Sequence, residues 1–223
     1  MTLLIIIYMK TQDKLFNGGN SQTVAIVFDL LGVILDEEKI ASKRLTSFLQ
    51  GRTTLTSDEI KQRYADGLKV GKMSHEEFWS FVGSNWQEIE ASFLNDLKFI
   101  SDAQSAIQAA NKIGKVYLLS EIPRRWAENL LKRLGVMESF TAIFVSDDFG
   151  LKKEDIELFQ KVSSIINAET VIYIDDKEKN LIIPSEMGWQ TIWFTSSSSE
   201  TLYGKKCASM SQLIKMLEQY NVK

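Results

Sequence analysis

The chain has 223 residues, 44% hydrophobic and 25% charged, with 26 Lys and Arg against 29 Asp and Glu and a formal net charge of −3. These values exclude a disordered chain, and the basic surplus or stripe of a nucleic-acid-binding surface is missing. One cysteine, Cys207, excludes an internal disulfide and a cysteine-rich metal site; its ordinary role is a buried, inert thiol in a reducing, cytoplasmic setting.

Leu3 to Met9 form an apolar run far shorter than the ~18 residues of a membrane span. No basic region precedes it and no small-residue cleavage site follows, so it reads neither as a span nor as a signal peptide, and no membrane partner is expected. Met9 offers an alternative start. Residues 10–22, with Asn17-Gly18-Gly19-Asn20, read as a polar leader or turn, which places a leader at 1–22.

Val24-Ala25-Ile26-Val27-Phe28 is a short, β-branched apolar run that fits a buried parallel strand. Runs of the same character recur at Lys115–Leu119, Ala142–Val145, Val171–Ile174 and Thr191–Phe194. Helical patterns lie between them. Trp126, Leu130, Leu131 and Leu134 share one face before the stop at Gly135, and Ile156, Phe159 and Val162 recur at helical spacing. From about residue 101 strands and helices alternate, which predicts a parallel sheet with helices on both faces. Ser196 to Ser199 form a polar loop, and residues 209–219 a closing amphipathic helix around Met210, Leu213, Ile214 and Leu217.

One interval breaks this rhythm. Between Asp36 and about Ile100 there is no strand pattern, and the interval is too long for a loop. Thr56-Ser57-Asp58-Glu59 and Ser74-His75-Glu76-Glu77 are both capping boxes, and the second opens a helix rich in Phe78, Trp79, Phe81, Val82 and Trp86. Residues 36–99 therefore read as a helical subdomain inserted into a core made of 23–35 and 100–223.

In open α/β sheets ligands bind at the carboxyl ends of the strands. Asp29 follows the first run, Ser120 the second, Gly150-Leu151-Lys152-Lys153 comes after the third, and Asp175-Asp176 follow the fourth. Each is ordinary alone, since an Asp after a strand is most often a turn residue or helix cap. Together they make a specific cluster. Two or three carboxylates at one point repel and raise each other's pKa, and a hard divalent cation such as Mg²⁺ removes that repulsion. A lysine and a hydroxyl beside it then hold an anion such as phosphate, leaving one carboxylate free to attack.

These segments resemble the motifs of the haloacid dehalogenase (HAD) superfamily, in its helical-cap subgroup, in the right order and over about residues 23–195. The first motif is similar to Phe28-Asp29-Leu30-Leu31-Gly32-Val33, the second to Leu118-Leu119-Ser120, the third to Gly150-Leu151-Lys152-Lys153-Glu154-Asp155, and the fourth to Tyr173-Ile174-Asp175-Asp176 with Asn180 and Gly188 beyond. The resemblance implies an α/β fold with a Rossmann-like parallel sheet and an inserted α-helical cap over 36–99. It implies Asp29 as nucleophile and Mg²⁺ held by Asp29, the Leu31 carbonyl and Asp176, with Asp175 as helper or alternative. Ser120 and Lys153 would bind phosphoryl oxygens, with Glu121 beside them in the substrate site. A small phosphorylated metabolite is the implied substrate.

Three positions depart from the pattern. Leu31 stands where the family's phosphatases carry a second Asp that protonates the leaving group, a contribution of about 10²–10⁴-fold. Glu121 stands where Asn is usual, and its charge opposes phosphate. Glu154 replaces Pro after the motif-three lysine. These departures keep three readings open: a Mg²⁺-dependent phosphohydrolase acting on a good leaving group, a HAD-fold binding protein without turnover, and a 2-haloacid dehalogenase-like enzyme, whose halide leaves without a proton. Of the remaining conspicuous residues, His75 is expected in an exposed first turn, the aromatic group at 78–86 in packing, and Arg124 and Arg125 at a solvated helix start. Oligomeric state leaves no mark in the sequence.

Overall fold

The computed structural model describes residues 23–37 and 39–220; the apolar run at Leu3–Met9, the leader and the alternative start lie outside them. The described strands are β1 Val24–Phe28, β2 Lys115–Ser120, β3 Ala142–Val145, β4 Thr170–Asp175, β5 Gln190–Phe194 and β6 Lys205–Cys207. They form one parallel sheet in the order β3-β2-β1-β4-β5-β6. The chain winds outward from β1 through β2 and β3, then returns to the other side of β1 for β4, β5 and β6. The order reverses between β1 and β4, the point at which open sheets leave a crevice for ligands.

The strands read as continuous apolar runs because both sheet faces are covered. Ile26 and Phe28 face one hydrophobic cluster, Ala25 and Val27 the other. After the inserted segment come α5 Ala103–Asn111, α6 Arg124–Leu134, α7 Ser146–Phe149, α8 Ile156–Ile166, α9 Ile182–Glu186 and α10 Met210–Glu218. The apolar stripe of α6 is buried through Trp126, Ala127, Leu130 and Leu131, and Gly135 ends the helix at φ +74°, where a side chain would be strained. Burial on α8 runs through Leu158, Phe159, Val162 and Ile166, while Ile156, expected on that face, is 54% exposed at the first position. The edge strand β6 was not expected from sequence, since Lys-Lys-Cys is too short to show a period. Cys207 is a buried free thiol.

Between β1 and β2 the described residues form no strand. A π-helical turn Ile40–Leu45 runs into α1 Thr46–Leu49, followed by α2 Ser57–Asp66, α3 His75–Trp79 and α4 Trp86–Asp96. Both expected capping boxes form: Thr56 and Glu59 open α2, Ser74 and Glu77 open α3. The segment leaves and re-enters the core through paired backbone, with Asp36 N donating to Lys98 O and Ile100 N to Ile34 O, each at 2.9 Å. Its aromatic residues pack on the core. Phe78, Trp79 and Phe93 are fully buried, and Trp126 of α6 lies 5.2 Å from Phe93 and 5.7 Å from the stacked ring of Tyr64. Such ring pairs add about 0.5–1.5 kcal/mol each beyond area burial. No helix of the described residues is long and apolar enough to cross a membrane.

Candidate active site

Parallel register sets the site. Phe28 of β1 lies beside Leu118 of β2 and Ile174 of β4, so the residues just beyond these positions, Asp29, Ser120 and Asp175, emerge together at the carboxyl edge. Asp29 N donates to Ile174 O at 2.9 Å, which extends the ladder by one residue and fixes where the carboxylate starts. Oδ1 of Asp29 then accepts from Leu30 N at 2.7 Å and Ser120 Oγ at 2.9 Å, and Lys153 Nζ lies 2.9 Å away. The distant sequence positions 29, 120, 153 and 175 thus meet at one point.

The two acids after β4 differ in surroundings. Asp175 is fully buried and saturated with donors: Lys153 Nζ at 2.7 Å, Asn180 Nδ2 and Lys177 N both at 2.9 Å, and the Tyr173 hydroxyl. Asp176 has a buried Oδ1 with no partner. Carboxylate oxygens of Asp29, Asp175 and Asp176 all lie within 4.8 Å of one another. Gly32, at φ +74°, makes room for this: a Cβ there would come 2.5 Å from the Asp176 carboxyl carbon.

Electrostatics follow from this packing. Burial works against ionisation of Asp175, but Lys153, Tyr173 and the Lys177 amide outweigh it and hold its carboxyl below the ordinary range. Asp29 is pushed up by burial and by Asp175, against the pull of Lys153. Asp176 is pushed up to about 8, first by burial and then by Asp29 and Asp175. Lys153 is raised despite its burial, because both neighbouring carboxylates favour the ammonium. Three clustered carboxylates with one buried lysine leave negative charge uncompensated. The donor set is all hard oxygen, one of them bare, which is the chemistry that suits Mg²⁺.

A pocket of about 330 Å³ opens over Asp29, with Leu31, Glu121, Lys153, Lys177 and Asn180 from the core. The inserted segment contributes Lys39, Ile40, Ser42, Lys61, Tyr64, Ala65 and Lys69. Glu121 is not left as a bare charge. Its Oε1 accepts from Lys153 N at 3.1 Å, and its Oε2 lies 3.4 Å from Lys69 Nζ. Glu154, in place of the usual Pro, points outward to Lys179 at 2.6 Å.

Sequence reasoning missed the contributions of the inserted segment, Lys39, Lys61, Tyr64 and Lys69, because nothing in their spacing marks a shared pocket. It also missed Tyr173, which reads as a strand residue. Two expectations are corrected. His75 is not in an open turn: its Nδ1 lies 2.5 Å from Glu90 Oε1, with the side chain 19% exposed. Glu90, buried on α4, also accepts from Trp79 Nε1 at 2.9 Å and Trp126 Nε1 at 2.7 Å and pairs with Arg125 at 3.0 Å. Arg124 is likewise engaged, by Asp148, Glu128 and the Ile143 carbonyl. The aromatic residues Phe78 and Trp79 pack, as expected.

The profile of haloacid dehalogenase-like hydrolases matches residues 26–194. A sesquiterpene phosphatase, astK, of Aspergillus oryzae is 24% identical over 196 residues, covering 85% of this chain and 96% of that protein. Among solved structures, a HAD phosphatase from Thermococcus onnurineus matches at a TM-score of 0.63 and 16% identity, over 90% of this chain and all of that one. The HAD-hydrolase YfnB from Bacillus subtilis, bound to magnesium, matches at 0.62 and 18%, over 89% of this chain and all of that one.

Proposed function

The chain belongs to the haloacid dehalogenase-like hydrolases, and on that premise we propose that it is a Mg²⁺-dependent phosphohydrolase acting through an aspartyl-phosphate on Asp29. The observation that carries this reading is the buried, unpartnered Oδ1 of Asp176 beside Asp29 and Asp175, in a site with one buried lysine for three acids. Mg²⁺ would be held by Asp29, Asp176 and the Leu31 carbonyl. Asp175, with every oxygen engaged, instead positions Lys153. When bound, the cation offsets carboxylate charge and polarises the phosphoryl group.

The chain's own residues then divide the work. Asp29 attacks phosphorus. Ser120 and Lys153, both within 2.9 Å of Asp29 Oδ1, orient its carboxylate and reach the phosphoryl oxygens. Residues 36–99 act as a cap over a core of 23–35 and 100–223, excluding water and selecting the substrate through their pocket residues. Leu31 supplies no proton, so the substrate needs a leaving group that departs unprotonated. The name of the Aspergillus oryzae relative supports a phosphorylated small molecule with an apolar body.

The test is Mg²⁺-dependent release of nitrophenolate from p-nitrophenyl phosphate, with Asp29→Asn as control. The expected loss is roughly 10³-fold or more. Equal rates in the two proteins would remove the enzymatic reading, and metal-independent halide release from a 2-haloacid would replace it with dehalogenation.

A further inference from the structure

Resting on that phosphohydrolase reading, we propose that the substrate is an organic diphosphate: its terminal phosphoryl group goes to Asp29 while Lys39, Lys61 and Lys69 hold the inner one. Three observations meet here. The pocket over Asp29 is lined by five lysines, Lys39, Lys61, Lys69, Lys153 and Lys177, against two carboxylates, Asp29 and Glu121. The chain as a whole carries −3, so this concentration is local. Lys153 serves the terminal phosphoryl group beside the catalytic acids, at 2.9 Å from Asp29 and 2.7 Å from Asp175. Of the three lysines of the inserted segment, Lys61 pairs with the exposed Asp58 at 2.8 Å and Lys69 with Glu121 at 3.4 Å; the solvent-facing Lys61 pair is worth little, and a second anionic group is the ligand that draws these lysines to the pocket.

Leu31 is the second observation. It lines the pocket where a proton donor would be needed to expel an alkoxide. An alkoxide leaves as the base of an acid about as weak as water. A phosphate ester leaves as the base of an acid with a second pKa of about 6. A phosphoanhydride therefore needs no donor, and the lysines that bind the inner phosphoryl group also stabilise the charge it gains on leaving. The third observation is the apolar part of the same wall, Leu31, Ile40, Tyr64 and Ala65, which suits the organic portion.

A carboxylate oxygen of Asp29 bonds to the terminal phosphorus, and the bond from that phosphorus to the bridging oxygen breaks. The bridging oxygen departs with its electron pair as part of the organic monophosphate dianion. Water then bonds to the phosphorus of the acyl phosphate, the Asp29 carboxylate leaves, and hydrogen phosphate and one proton are released. One diphosphate and one water give one monophosphate, one phosphate and one proton.

Turnover of octyl diphosphate, octyl monophosphate and p-nitrophenyl phosphate with Mg²⁺ tests the assignment. The diphosphate should exceed the monophosphate by about 100-fold or more in kcat/KM, the size of a missing acid catalyst, and octyl monophosphate should accumulate with one equivalent of phosphate. Lys61→Met and Lys69→Met should each lower kcat/KM for the diphosphate about tenfold more than for p-nitrophenyl phosphate. In the Asp29→Asn protein, calorimetry should show a methylene-bridged octyl diphosphonate binding more tightly than octyl phosphonate, with the difference reduced by Lys61→Met. Similar turnover of the two octyl esters, or equal losses on all substrates in both lysine variants, would overturn the inference while nitrophenyl phosphate turnover still stood. Absence of Asp29-dependent turnover on all three would instead overturn the phosphohydrolase reading itself.

Discussion

Lys69 Nζ lies 3.4 Å from Oε2 of Glu121, joining the inserted helical segment to the loop after β2 within the lining of the pocket over Asp29. The pair explains how an acid is tolerated where the proposed anionic substrate would sit: its charge is partly offset by Lys69, and its other oxygen accepts from the Lys153 amide. Glu121→Gln keeps an acceptor for that amide and frees the lysine. The expected result is a KM for p-nitrophenyl phosphate lowered by up to about tenfold at low salt, and less at high salt. Steady-state kinetics at two ionic strengths check this; an unchanged KM would mean that Glu121 is not felt by the substrate.

Leu31→Asp restores a proton donor two residues beyond the proposed nucleophile. Turnover of octyl monophosphate should rise by about 10-fold or more, read as phosphate release. The side chain is only 6% exposed, so some loss of stability accompanies the gain. No gain at all would place the barrier elsewhere than in leaving-group protonation.

Asp176, pushed up to about 8, makes the metal-free protein sensitive to pH. Unfolded, the same carboxyl titrates near 4, by the ordinary value of about 3.9. Between these values the folded chain keeps a proton that the unfolded chain has released. Stability contributed by this group is therefore present at about pH 4 and lost as pH rises through about 8. Urea unfolding with chelator should show that decline, and Asp176→Asn should flatten it. Mg²⁺ must displace the proton, so its affinity should increase up to about pH 8. A metal-free stability independent of pH over this range would contradict the assignment.

Glu90 anchors the inserted segment to α6 through two indole N–H groups, His75 and Arg125. His75 and Trp126 outweigh burial and hold the Glu90 carboxyl below its ordinary range. Glu90→Ala leaves Trp79 and Trp126 with unsatisfied buried donors, and should cost about 3 kcal/mol in urea unfolding. A change under 1 kcal/mol, on the order of a surface substitution, would show that water replaces the carboxylate without penalty.

The core strands were legible because burial on both faces demands unbroken β-branched runs, as in Val24–Phe28. The helix starts at Thr56 and Ser74 were legible because a capping box satisfies backbone amides within four residues. Asp29, Ser120, Lys153, Asp175 and Asp176 could be picked out because each lies at or beyond the carboxyl end of a strand that local pattern marks.

What only the tertiary structure decided is how these groups divide their partners. The sequence contains two adjacent acids; packing saturates Asp175 with donors and leaves an Asp176 oxygen bare, since the approach of Tyr173, Asn180 and Lys153 depends on the assembled sheet. Likewise Lys69 with Glu121, and Glu90 with Trp126, are pairings across long sequence separations, which no local period encodes. Local chemistry therefore determined which residues stand at the sheet edge, and long-range packing determined which charges face the pocket.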